Sequence, residues 1–80
     1  MKVLMERTNG AGQQVKLTRH NDPEQFPVCR DMFEFNGKQV PQSVYVITCG
    51  AGKFHPPVMS TICWKTAFRV FHVHAGRKEK

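Results

Sequence analysis

Residues 31–49 read DMFEFNGKQVPQSVYVITC, and this stretch decides the fold. Asn36-Gly37 stands between two short runs with strand character, Met32–Phe35 and Lys38–Val40. Asn-Gly accepts the two positive φ angles of a type I′ turn, whose twist matches paired strands. A two-residue loop fixes the register. Phe35 faces Lys38, Glu34 faces Gln39, Phe33 faces Val40 and Met32 faces Pro41. Phe33, Phe35, Val40 and the Lys38 stem then share one face, with Glu34 and Gln39 on the other. Hydrogen-bonded and non-hydrogen-bonded pairs alternate away from the turn, which puts Pro41 at a non-hydrogen-bonded site. A third strand finds no donor at Pro41, so the return arm is an edge or a bend there. Val44-Tyr45-Val46-Ile47 is apolar on both faces and reads as a strand covered on both sides. The chain is thus expected to bend at Pro41 and enter the middle of a small sheet or barrel, with Phe33 and Phe35 in its core.

Upstream, Lys2–Glu6 reads as a strand with Val3 and Met5 on one face and Leu4 on the other. Thr8–Gly12, TNGAG, has the composition of a turn or flexible loop. Gln13–Arg19 alternates, with Val15 and Leu17 opposite Gln14, Lys16 and Thr18, as a half-buried strand does. These two strands make a second hairpin. His20–Pro27, HNDPEQFP, breaks the pattern. Asp22 as N-cap, Pro23 at the first position and Gln25 at the third predict one helical turn near 22–26. Pro27 stops it, because the residue before a proline avoids helical angles. Phe26 is its buried anchor and His20 lies on the surface.

Downstream, Gly50–Pro57, GAGKFHPP, reads as an exposed, shaped loop. It is not a phosphate loop: that motif needs Gly at position 47 and Ser or Thr at position 54, where this chain has Ile47 and Phe54. Val58–Lys65 and Thr66–His74 both alternate and read as two long strands, with a helical start at Thr61–Phe68 as the competing reading. Ala75–Lys80 reads as a flexible basic tail. The expectation is one mostly β domain over 1–74, a small barrel or rolled antiparallel sheet of about five to six strands with a single helical turn.

At 80 residues the chain supports one domain with a thin stability margin and no cleft between domains. No apolar run approaches the roughly 18–20 residues that span a bilayer. Glu6 and Arg7 interrupt the short apolar start, so no signal peptide is read and a cytoplasmic protein is expected. Cys29, Cys49 and Cys63 are odd in number and widely spaced, which points to reduced thiols rather than a disulfide framework. The net charge of +6 is unevenly placed. Residues 1–34 balance acid and base; beyond them Lys38, Lys53, Lys65, Arg69, Arg77, Lys78 and Lys80 face Glu79 alone. Such a half attracts phosphate backbones or an acidic protein, and it also keeps a small domain soluble.

Four chemistries compete for this chain. Cys49, His55, Cys63, His72 and His74 are zinc-ligand types, and His72 and His74 share a face if they lie on a strand, but no CxxC or HxxxH pair is present. His20, His55, His72 and His74, with nearby cations, are the parts of a small ribonuclease, but no local motif joins nucleophile, base and orienter. None of the three thiols has an evident basic, exposed setting. A nucleic-acid module draws on Lys53, Phe54, His55, Lys65, Arg69, Arg77, Lys78 and Lys80, with Phe54 as a stacking aromatic beside cations. Phe33, Phe35 and Tyr45 are further stacking candidates if the hairpin is exposed. A protein-binding inhibitor or adaptor would use an exposed strand edge near Pro41 and the basic face against an acidic surface. The expectation is a non-catalytic binding protein, with nucleic acid ahead of an acidic protein partner and a ribonuclease last. No pattern points to a cofactor, a metal or a small-molecule substrate.

Overall fold

The computed structural model describes residues 2–76. The Asn36-Gly37 turn forms as expected, with φ of 53° and 78°. Around it β3 (Met32–Phe35) and β4 (Lys38–Pro41) pair antiparallel in the expected register, from Phe35↔Lys38 out to Met32↔Pro41. The Gln42 amide donates to the Asp31 carbonyl at 2.9 Å and closes the base. These two strands form a sheet of their own.

The main sheet has four antiparallel strands in the order β1-β2-β5-β6: Lys2–Thr8, Gln14–His20, Val44–Gly50 and Pro57–Thr61. The strand after Pro41 is central, held between β2 and β6, as its two apolar faces predict. β1 and β6 are the two edges and do not pair with each other, so the sheet is open and the expected barrel does not close. In β1 a bulge between Val3 and Met5 sets Val3 opposite Thr18 and Met5 opposite Leu17. It turns Val3 and Met5 to opposite faces, where simple alternation puts them together.

The second correction concerns the chain after Thr61. Residues Trp64–Ala75 form helix α1, not the expected strand. The same side chains satisfy both periods. Ala67, Phe71 and Ala75 recur every four residues and are all buried. The sheet decides between the two readings. Val15 and Leu17 on β2, and Ile47 and Cys49 on β5, make one apolar face, and α1 covers it. A seventh strand would leave those side chains in water. Burying one such side chain is worth about 1.5–3 kcal/mol, more than the helix propensity lost at a β-branched or aromatic position. Ala75 belongs to this core, so the helix ends only at Gly76. The tail residues Arg77, Lys78 and Lys80 lie outside the described residues.

Between β2 and β5 the chain leaves the sheet. The Glu24 amide donates to the Asp22 carboxylate at 2.9 Å and the Phe26 amide to the Asp22 carbonyl at 2.8 Å, so the turn expected at 22–26 is present. A 3₁₀ turn follows at Pro27–Arg30 and buries Cys29, whose thiol donates to the His20 carbonyl at 3.6 Å. The β3–β4 hairpin then projects as an arm. The molecule measures 47 × 24 × 15 Å with a radius of gyration of 14.0 Å, against roughly 12 Å for a compact chain of this length. Among the described residues, no helix is long and apolar enough to cross a membrane.

Candidate functional site

The helix that covers the core also carries a row of half-exposed rings. With Ala67, Phe71 and Ala75 facing the sheet, the series Trp64, Phe68, His72 falls on the adjacent flank, each residue four from the last. The rings touch in sequence. Tyr45 on β5 lies 5.4 Å from Trp64, Trp64 lies 5.7 Å from Phe68, and Phe68 meets His72 edge-on at 4.3 Å. Trp64 is 42% and Phe68 43% exposed, so each ring rests partly on the protein and partly in water. Lys65 and Arg69 are exposed and stand four apart on the next strip of the helix. No Asp or Glu occurs anywhere in residues 36–78. The flank is therefore aromatic along its length, with cations beside it and no carboxylate of its own segment to neutralise them.

At the N-terminal end of α1 this row meets the hairpin arm. Tyr45, Arg19, Phe33, Phe35, Val40 and Pro41 border a hollow of about 410 Å³. Phe33 is 38% and Phe35 60% exposed, and their rings meet edge-on at 6.5 Å. The expectation that both fill the core is overturned. A short two-stranded arm has no second layer to bury them against, and the core is supplied by β2, β5 and α1.

The other expected contact residues are dispersed. Lys53 and Phe54 occupy the β5–β6 turn, where the Phe54 amide donates to the Ala51 carbonyl at 3.2 Å and Gly52 takes a φ of 63°. Phe54 is 75% exposed. Gly50 permits this turn: a methyl group there would overlap the Phe54 carbonyl and stand 2.8 Å from the His55 Cα. β5 runs from the hairpin end to the Lys53 turn and β6 returns, so Lys53 and Phe54 sit at the opposite end of the sheet from Lys65. His55 hydrogen-bonds through Nε2 to the Gly52 carbonyl at 2.7 Å and lines a cleft on the sheet face away from α1. Of the eight expected residues, Lys65 and Arg69 share the helix with the aromatic row, and Lys53, Phe54 and His55 belong elsewhere.

The zinc and ribonuclease groupings come apart in the same way. On a helix, residues two apart point about 200° from one another, so His72 and His74 do not share a face. His72 packs against Phe68 and Phe71. Cys49 is buried, and its thiol donates to Gln13 Oε1 at 3.5 Å. Among the described residues, no three His, Cys, Asp or Glu side chains gather as a metal site. Cys63 differs from the expectation for the thiols. It is exposed at the N-cap of α1, and the polar groups of nearby Thr66, its hydroxyl first, hold the thiol below the ordinary range.

Sequence reading missed the row itself. Its signal is the spacing Trp64–Phe68–His72, which the strand-like alternation of the same segment obscures. No protein-family model, curated protein or solved structure matches this chain.

Proposed function

We propose that this protein binds single-stranded nucleic acid along the outer flank of α1. The observation that carries this reading is the ring row Tyr45–Trp64–Phe68–His72 with Lys65 and Arg69 beside it. Unpaired bases stack on half-exposed aromatic rings at about 1–3 kcal/mol per base, while neighbouring cations follow the phosphates. The net charge of +6 and the lack of carboxylates in residues 36–78 favour a polyanion over any other large partner. The test is a salt titration of binding to a fluorescently labelled single-stranded oligonucleotide. Affinity falls with added salt at a slope of about −0.7 per phosphate contacted. The variant K65Q/R69Q flattens that slope by about 1.4, two contacts' worth. Absence of binding at low salt overturns the reading.

A second reading is favoured by the hairpin arm. Met32 is 54% exposed, and with Phe33 and Phe35 it places three large apolar side chains on a projecting element. An inhibitor or adaptor that inserts this arm into a larger protein would use them as anchors. Capture of one stoichiometric protein partner that survives nuclease treatment, and that is lost in F33S/F35S, supports this second reading. Capture that nuclease abolishes sinks it.

A further inference from the structure

The hollow of about 410 Å³ between the main sheet and the hairpin arm has a charge pattern that the helix-flank reading does not use. Lys2, Arg19, Tyr45 and Thr61 are successive partners across the four strands, so they make one rung and share a sheet face. It is the α1 face, because Leu17 and Ile47, two residues along from Arg19 and Tyr45, belong to the core under the helix. The rung sets Lys2 directly opposite Arg19, and like charges so placed destabilise a sheet. Among the described residues the one ion pair is Lys16 with Glu6, so no carboxylate there neutralises either cation of the rung. The Arg19 Nε is buried and has no hydrogen-bond partner among the described residues. A buried N–H left unpaired is costly. One anion at Arg19 relieves both the repulsion and the unpaired donor.

The walls select what accompanies the anion. Among the described residues, no Asp or Glu borders the hollow. Phe33, Phe35 and Tyr45 give it aromatic sides, and Val40 and Pro41 add apolar ones. Asn21 and Ser43 also border it. Asn21 Nδ2 donates to Ser43 Oγ at 2.9 Å, which leaves the Ser43 hydroxyl proton and the Asn21 amide oxygen for the edge of a planar polar group. A guanidinium suits phosphate, since its forked donors match two phosphate oxygens at once. Rings, a few polar groups for an edge, and an unpaired guanidinium are the composition of a nucleotide site. Tyr45 belongs both to this hollow and to the ring row, 5.4 Å from Trp64, so the two are continuous.

We propose that one nucleotide of the bound strand leaves the α1 flank at Tyr45 and enters this hollow, its base against Phe33 and Phe35 and its phosphate on Arg19 beside Lys2. The proposal rests on the nucleic-acid reading of the flank and extends the track onto the arm. The test measures the affinity of the full chain for a labelled single-stranded oligonucleotide across a salt series, in the unmodified protein and in R19Q, R19K, F35S and K65Q/R69Q. R19Q flattens the salt slope by about 0.7, one phosphate contact, and R19K keeps it. F35S weakens binding by about fivefold or more at every salt concentration and keeps the slope. Saturable quenching of Trp64 persists in R19Q and F35S, which shows that both variants are folded and still engage the flank. An unmodified slope in R19Q, an unmodified affinity in F35S, or a slope flattened equally by R19Q and R19K overturns the hollow. A flattened slope in K65Q/R69Q then leaves the flank reading standing, whereas absence of binding by the unmodified chain at low salt overturns both.

Discussion

Asn9 donates from Nδ2 to the His74 carbonyl at 3.0 Å, while its Oδ1 accepts from the Ala11 and Gln13 amides, each at 3.0 Å. One buried side chain thus shapes the β1–β2 turn and fastens the end of α1 to it. Removing a partner that leaves buried groups unpaired costs about 1–3 kcal/mol. For an 80-residue domain, whose total stability is about 4–12 kcal/mol at typical per-residue values, that is a substantial share. N9A therefore lowers the unfolding free energy read from chemical denaturation by about 1–3 kcal/mol, and an unchanged midpoint contradicts the role given to Asn9. The role was not legible in the sequence. TNGAG has the composition of any loop, and its partner lies 65 residues away. His20 supplies a pH test at the same scale. Its folded pKa is depressed by burial, so below about 6.5 the unfolded chain takes up a proton that the folded chain resists. Stability is complete above that value and declines as pH falls through the window beneath it. H20Q loses less stability between pH 7.5 and pH 5.5 than the unmodified chain does; equal losses in urea midpoints contradict this. Cys63 is exposed with a lowered pKa, whereas Cys29 and Cys49 are 3% and 7% exposed. Iodoacetamide therefore modifies one thiol quickly in the native protein and all three in denaturant, as counted by mass spectrometry. Rapid modification of two or more under native conditions contradicts the burial described.

At the scale of elements, the hairpin and the helix show where local sequence suffices and where it does not. Asn36-Gly37 specifies its turn within two residues, so β3–β4 and their register were readable from the sequence, as was the central strand Val44–Gly50. Those features depend on contacts close along the chain or on a run apolar on both faces. The WKTAFRVFHVHA segment fits a strand by alternation and a helix by its fourfold spacing, and Cys63 gives no capping hydrogen bond to mark a helix start. What resolves the ambiguity is the face of β2 and β5 that needs a cover, a relation between residues some fifty positions apart that no local window contains. The same limit hid the site. Tyr45 meets Trp64 only because β6 pairs with β5 and α1 starts beside that end of the sheet, and nothing local says that the hairpin carrying Phe33 and Phe35 stands apart from the core. The arm is correspondingly independent of the core. F33S/F35S shifts stability by no more than about 0.5 kcal/mol, as surface substitutions do. A loss above 2 kcal/mol, read from urea unfolding, means that the rings are packed in solution.

Over the whole molecule, two layers divide the surface into distinct regions. One sheet face is covered by α1, whose outer flank carries rings and cations. The other face is open and holds the cleft at Lys16. The sheet ends carry the Phe33–Phe35 arm and the Lys53–Phe54 turn. The basic half seen in the sequence is therefore not a single patch. Among the described residues of that half, only Lys65 and Arg69 lie with the aromatic row, and that pairing of cations with rings distinguishes a stacking surface from charge that merely keeps a small protein in solution. Trp64 is the sole tryptophan and stands in the middle of the row, between Tyr45 and Phe68. Its fluorescence reports on the proposed contact with no added label. The most direct measurement is a titration of the unmodified protein with a single-stranded oligonucleotide at low salt, repeated at rising salt. Stacking at the flank quenches Trp64 saturably, with an affinity that falls steeply as salt is added. Unchanged Trp64 emission at low salt, or quenching indifferent to salt, contradicts nucleic-acid binding along α1.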